Sequence, residues 1–523
     1  MVRFLAWASR RAAWLAICFG YLTVFPYFER INNPNENARV WMTRAIVEHH
    51  ELNIGKVSAE WGYVNDKATS GGWIYSGKAP GTSFIGVPVL YVESKLARLF
   101  AGGPPGKRAT TLALRLFAVA VPMCLFWLFV ARRLERELEE PALRALLLGG
   151  LAFGTMLYPY GILYVGHALG AALAFSGFLL SSSAPPGQAR RSALAAAGAL
   201  TGFAVVFEYQ VAFAAVVIAA YTGVRHRRAA LPFLVGALTA VIALGAYHHA
   251  LFGRAWDTPF SHLENPAFAR LHNDVRLAGL GLPRPRPLLT MLFSPDMGLF
   301  VFSPFLLIGL LGAVVAVVRG SGEARLEGVT ILLVFLSMAL FASGVPNWHA
   351  GWCVGPRYIA VVVPFLGWGI VLLHRLGCLA RWVRPLLGGT VVVSVVLCGV
   401  SAAVYPHYPE QFDNPVFDLA FPLLGDGHVP YSVGHLLGLH GLVSLTPLAA
   451  AVLVPLAIGL AGDDPRPSVW LSATGGAIGV ALLLLISLGA YGRKPRPEEA
   501  HAATFVRATW EPPPASAGQP KLR

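Results

Sequence analysis

Two carboxylates and two cations stand where this sequence could do chemistry at a membrane face. Glu36 lies on the first turn of a helical pattern, ENARVWMTRAIVEHH, with Pro34 just before it, so the helix dipole favours its ionised form. Asp66 follows in the same polar stretch. Lys78, in Tyr75-Ser76-Gly77-Lys78-Ala79-Pro80-Gly81, precedes an apolar helix, where an ammonium can meet a lipid phosphate. Arg357 begins a span after a connector without Lys or Arg, where a guanidinium can hold a phosphate by paired hydrogen bonds. A carboxylate can take the proton of a hydroxyl, and the cations can neutralise a departing phosphate. Each residue also has a plainer reading: helix capping for Glu36, snorkelling for Lys78, interface anchoring for Arg357.

The elements that must position these residues are membrane helices. The chain has 523 residues, 55% of them hydrophobic and only 13% charged, with a mean hydropathy of +0.59. Soluble domains carry roughly 25% charged residues, so an ordinary cytosolic enzyme is excluded. Apolar runs recur from residue 12 to 492 and leave no polar stretch long enough for a soluble domain. The formal charge is +14, but the 41 Lys and Arg are scattered between apolar runs, which argues for membrane topology and against a nucleic-acid partner. Five cysteines without CxxC spacing imply neither a disulfide framework nor a zinc site.

An all-α polytopic fold follows, with about thirteen spans of roughly 20 residues each, near 12–28, 110–131, 144–163, 167–182, 193–207, 211–224, 231–252, 298–318, 328–344, 358–374, 385–404, 445–461 and 469–491. Arg3, Arg10 and Arg11 precede the first, which predicts a cytoplasmic N-terminus by the positive-inside rule. Residues 1–492 then form one transmembrane domain, with outer loops at 29–109, 253–297 and 405–445, and 493–523 read as a polar, disordered tail. Within the first loop, 81–100 has an apolar stretch of about 12 residues ending in Glu93, Lys95 and Arg98. That pattern predicts a helix lying along the interface.

The loop motifs resemble the GT-C superfamily of membrane glycosyltransferases, especially the branch of protein O-mannosyltransferases and the lipid A aminoarabinose transferase. Asn35-Glu36-Asn37-Ala38-Arg39 occupies the place of that branch's early Asp-Glu pair, Arg44 that of a recurrent arginine, and Lys78-Ala79-Pro80-Gly81 that of its Lys-Pro-Pro-like motif. The position usually assigned as catalytic is Asn35 here, and an amide cannot act as a base; the role would pass to Glu36 or Asp66. His167 starts the fourth span where relatives often carry an acid. Glu208 interrupts the apolar run 193–224 at its outer turn, and an ionisable group there is a functional candidate. Phe293 to Phe300 and the run Trp348-His349-Ala350-Gly351-Trp352 with Gly355-Pro356-Arg357-Tyr358 extend the likeness over roughly residues 10–375.

The resemblance implies a multi-pass protein of the bacterial inner membrane that moves a sugar from a polyprenyl-phosphate donor to an acceptor hydroxyl at the outer face, by inverting displacement. Glu36 and Asp66 would serve as bases, Lys78 and Arg357 would hold the donor phosphate, and Asn35, Arg44, His167, Glu208 and His349 would contact substrate. The acceptor, whether protein, lipid or glycan, stays open. Neither HExxH nor a Gly-rich phosphate loop occurs, against a zinc protease or an ATP-driven pump; outer carboxylates permit a divalent metal without calling for one. A lipid-linked-sugar transporter and a non-catalytic subunit are the competing classes. Candidate charges gathered at one face favour the enzyme.

Overall fold

The computed structural model describes residues 2–28, 33–273, 280–380, 383–462, 467–491 and 496–510. Nearly all of it is helical, with only two two-stranded sheets among the described residues. Among these residues six helices are long and apolar enough to cross a membrane, and shorter apolar helices include Pro141–Phe153, His167–Ser181, Arg191–Phe207, Phe305–Arg319 and Val362–Arg375. The short ones have a physical reason. Pro141–Phe153, His167–Ser181 and Val362–Arg375 are buried on nearly every side, so they are wrapped by other helices and need not match the bilayer alone. The outer helices show the reverse pattern, with Val216, Leu234, Val241, Leu453 and Leu483 exposed, as a lipid-facing surface requires.

Every expected span overlaps helix, although 144–163 and 298–318 each fall on two, Pro141–Phe153 with Leu157–Gly161 and Leu299–Phe302 with Phe305–Arg319, and the chain is a multi-pass membrane protein. The first differs in place: it runs Val2–Tyr21, not 12–28. Pro26 forces the residue before it out of the helical region, and Val24 and Phe25 instead pair antiparallel with Ser432 and Tyr431 of the connector 405–445. Small residues let neighbouring helices touch. A Cβ on Gly309 would strike the Leu366 carbonyl, and one on Gly312 the Gly369 carbonyl, so Phe305–Arg319 and Val362–Arg375 pack backbone to backbone.

The segment between the first helix and Lys107–Glu137 is a built unit. Asn33 caps the helix Pro34–Arg44 by accepting from the Glu36 N–H at 3.4 Å. The hairpin Lys67–Ser70 and Trp73–Ser76 turns through Gly71 and Gly72, whose φ values of 57° and 84° only glycine adopts freely. Residues 81–100, expected as a helix along the interface, form one helix, Gly81–Ala101, of 21 residues. It packs through Gly81, Ser83, Gly86 and Leu90 and leaves Tyr91, Val92, Leu96 and Phe100 exposed.

The tail corrects an expectation. Residues Pro497–Ala508 are a helix, not a disordered segment. Ala502, Val506 and Trp510 are buried in a cluster with Phe28, Tyr405 and Tyr408, and Arg507 reaches Asp426 at 3.0 Å. The polar composition concealed one apolar stripe at helical spacing. Residues 511–523 lie outside the described part.

Candidate functional site

Stretches far apart in the chain meet around a cavity of about 450 Å³. Asn33 and Asn35 come from the start of the helix Pro34–Arg44, Asp66 and Lys78 from either side of the hairpin, and Asn347, Trp352, Arg357 and Tyr358 from the loop after Gly322–Gly344. His407 and Glu410 come from the connector 405–445, and Phe505 from the C-terminal helix.

The hairpin positions the first charged pair. The Gly77 N–H donates to the Asp66 carbonyl at 2.9 Å, closing the hairpin base, and a Cβ on Gly77 would sit 3.0 Å from that carbonyl. Lys78 therefore emerges beside Asp66, with Nζ 2.9 Å from Oδ2 and both side chains about one-fifth exposed. Burial pulls the Lys78 ammonium below its usual range; Asp66 opposes this, while Arg357 and Arg39 lower it further. Those influences reveal the local field: Lys78, Arg357 and Arg39 are close enough to feel one another.

Arg357 is aimed by its loop. Ala350, Gly351 and Gly355 take φ values of 66°, 71° and 67°, curling the chain so that Arg357 Nη2 donates to the Ala350 carbonyl at 2.5 Å. Its buried Nε has no protein partner, which leaves donor capacity in a cationic wall. Behind that wall lies a second layer. Glu208 receives Arg39 Nη2 at 2.8 Å and Gln210 Nε2 at 3.2 Å, with His167 Nδ1 3.4 Å away. Arg39 also donates through Nη1 to the Asn35 carbonyl at 2.8 Å and to the Asn35 side-chain oxygen. Because arginine has no acceptor, the Asn35 amide must turn its NH₂ away from Arg39.

Among the nine residues singled out in the sequence, Asn35, Asp66, Lys78 and Arg357 line the cavity. His167 and Glu208 sit in the layer behind. His349 stands at the side, 3.4 Å from Asp296 and 3.7 Å from Glu410. Arg44 belongs elsewhere: it bonds Glu48 at 2.8 Å and Glu60 at 2.6 Å and lies 4.0 Å over the Trp61 ring, a packing role within the outer loop.

Glu36 also departs from the expected role. Arg115 Nε and Nη2 grip its two oxygens at 2.6 and 2.5 Å, and the Tyr164 N–H adds 2.8 Å. Burial disfavours its charge, but Arg115 and these hydrogen bonds hold its carboxyl below the usual range. A carboxylate so saturated is a poor proton acceptor. It borders only a separate space of about 20 Å³, room for about one water molecule.

Arg39, Arg115 and His407 carry parts of this arrangement that the sequence reading passed over. Arg115 had a signal, being a lone cation within an apolar span, and Arg39 stands four residues after Asn35, one helical turn away. His407, near Asn33 and buried, is pushed down to about 4 by that burial; nothing local in its acidic loop marked it. Among the described residues no group of three or more His, Cys, Asp or Glu is placed to hold a metal ion.

No protein-family model matches the chain, and no curated protein matches its sequence. Among solved structures it is similar to ArnT from Cupriavidus metallidurans in the apo state, at 16% identity over 94% of this chain and 78% of that one, with a TM-score of 0.45. It is likewise similar to the same protein bound to undecaprenyl phosphate, at 16% identity over 97% and 81%, with a TM-score of 0.43.

Proposed function

We propose that the chain is a glycosyltransferase that moves a sugar from a polyprenyl-phosphate carrier to an acceptor hydroxyl at the outer membrane face. One observation carries this reading: Asp66, Lys78 and Arg357, distant in sequence, border one cavity of about 450 Å³. Three cations, Arg39, Lys78 and Arg357, stand among three carboxylates, Asp66, Glu208 and Glu410, and the uncommitted Nε of Arg357, beside a Lys78 ammonium that can exchange Asp66 for another anion, suits a phosphate.

In this reading the donor phosphate docks between Lys78 and Arg357 and draws Lys78 away from Asp66. The freed Asp66 carboxylate takes the proton of the acceptor hydroxyl. The acceptor oxygen attacks the anomeric carbon, the bond from that carbon to the phosphate oxygen breaks, and polyprenyl phosphate leaves with the electron pair. Attack opposite the leaving group inverts the configuration. Glu36 keeps a structural role, holding the loop to the spans through Arg115. Asn35 contributes a hydrogen-bond donor where the resembling branch has an acid.

The test is transfer of radiolabelled sugar from lipid carrier in membranes containing the Asp66→Asn protein. Loss of transfer with an unchanged melting temperature is expected; full transfer would refute the base assignment. Asn35 also favours a second reading, a non-catalytic relative that binds carrier without turnover. Undecaprenyl phosphate binding by the unaltered chain, with no transfer from any lipid-linked sugar, would select it.

A further inference from the structure

A second cavity, of about 410 Å³, lies at the opposite end of the helix bundle. Two helices establish the distance. His167–Ser181 and Ala212–His226 both start beside Glu208 and both end at this cavity, and 15 residues of helix span about 22 Å. His226 forms its floor: its Nδ1 accepts from the Gly187 N–H at 3.1 Å, so its Nε2 donates to the Ser181 carbonyl at 2.8 Å. The ring is therefore neutral, and the positive charge comes from its neighbours.

Arg225 and Arg227 line this cavity. The Arg225 side chain is only 2% exposed; Nη2 donates to the Ala184 carbonyl at 2.8 Å and meets Glu323 at 3.1 Å. Its Nε and Nη1 are buried with no protein partner. A guanidinium with two unsatisfied donors, in the wall of a cavity, is an anion site waiting for oxygens. Arg227 is exposed and holds a φ of 51°, which sets it at the rim. The other wall is apolar: Val224, 64% exposed, and Leu326 border the cavity, and Val216 and Leu231 continue an exposed greasy surface.

We infer that this cavity binds the phosphate of an anionic phospholipid headgroup, through Arg225 and Arg227, with the acyl chains lying along Val224 and its apolar neighbours. Basic groups set directly beside lipid-facing surface are the arrangement such a headgroup requires. Glu323 opposes the anion; half-exposed on the first turn of Gly322–Gly344, it can turn to water when Arg225 takes a phosphate oxygen instead. This site stands apart from the proposed transferase chemistry and does not depend on it.

The test is native mass spectrometry of the full-length protein in detergent, titrated with phosphatidylglycerol, with phosphatidylcholine and inorganic phosphate as separate arms. Phosphatidylglycerol is expected to bind and phosphatidylcholine to bind at least about fivefold more weakly, the loss expected for a missing charge contact at a lipid surface. Arg225→Gln and Arg227→Gln should each weaken binding by about the same factor, whereas Glu323→Gln should strengthen it. Should Arg225→Gln fail to fold, Arg227→Gln and Glu323→Gln still decide. Arg132, exposed at the same end of the bundle but not bordering the cavity, supplies the control: an Arg132→Gln loss as large as that of Arg227→Gln would reduce the effect to diffuse surface charge and overturn the assignment. Binding of inorganic phosphate without phosphatidylglycerol would overturn the lipid as the source.

Discussion

Glu36 and Asp66 are both carboxylates paired with a cation, and their surroundings are opposite. Glu36 is 3% exposed, gripped by both arms of Arg115 and by a backbone N–H. Asp66 holds one ammonium, Lys78, and borders a cavity large enough for a substrate headgroup. Fully satisfied and closed, the first pair ties the outer loop to the helix Lys107–Glu137. Half-satisfied and open, the second can exchange partners. Proximity to the membrane face does not separate a structural acid from a reactive one; the number of donors already committed to its oxygens does.

The contrast is broken most sharply by activity. Asp66→Asn should lower sugar transfer in membranes by about 10²–10⁴-fold, the usual worth of a general base. Glu36→Gln, if it folds, should cost far less per molecule of folded protein. Equal losses at constant folding would erase the distinction between the two acids.

Stability should rank them in reverse. Arg115→Met strands a buried carboxylate, and such uncompensated charges cost about 3–5 kcal/mol; Asp66→Asn should cost no more than about 1 kcal/mol, as for partly exposed pairs. Thermal unfolding in detergent measures both.

Acid should act through the closed pair and its neighbour. Glu36 is held below its ordinary 4.5, so its stabilisation is complete above that value and is lost as pH falls through the lower folded value. His407, held at about 4 against an ordinary 6.5, is neutral when folded and protonated when unfolded between those values. It too removes stability as pH falls across that window. The melting temperature should therefore drop from pH 6.5 to 4, and His407→Gln should flatten that part of the curve while leaving the more acidic part.

The smallest effect is expected at Asn35. An aspartate there would meet Arg39, which already donates to both oxygens of Asn35, and would be held as an ion pair. Asn35→Asp should therefore give less than about a tenfold gain in transfer, below the usual range for an added base. A larger gain would mean that Arg39 does not control this position.

The apolar runs made the spans legible, because each buries or faces lipid along its whole length. Lys78 and Arg357 were legible as cations at the ends of such runs, and Asp66 as a carboxylate beside them. The partners were not. Arg115 meets Glu36 across 79 positions and Glu208 meets Arg39 across 169, separations that leave no periodic trace. The C-terminal helix was hidden for a related reason: its Ala502, Val506 and Trp510 stripe is short, and only Phe28, Tyr405 and Tyr408 give it something to cover. The clasp on Glu36 was hidden too, because a position on a helix start says nothing of what closes over it.

The most direct measurement is a cryo-electron microscopy structure of the protein with undecaprenyl phosphate. The phosphate should lie within hydrogen-bonding distance of Lys78 Nζ and the Arg357 guanidinium, with Asp66 released from Lys78 and Glu36 still clasped by Arg115. A phosphate bound away from Lys78 and Arg357, with the Asp66–Lys78 pair intact, would contradict the account.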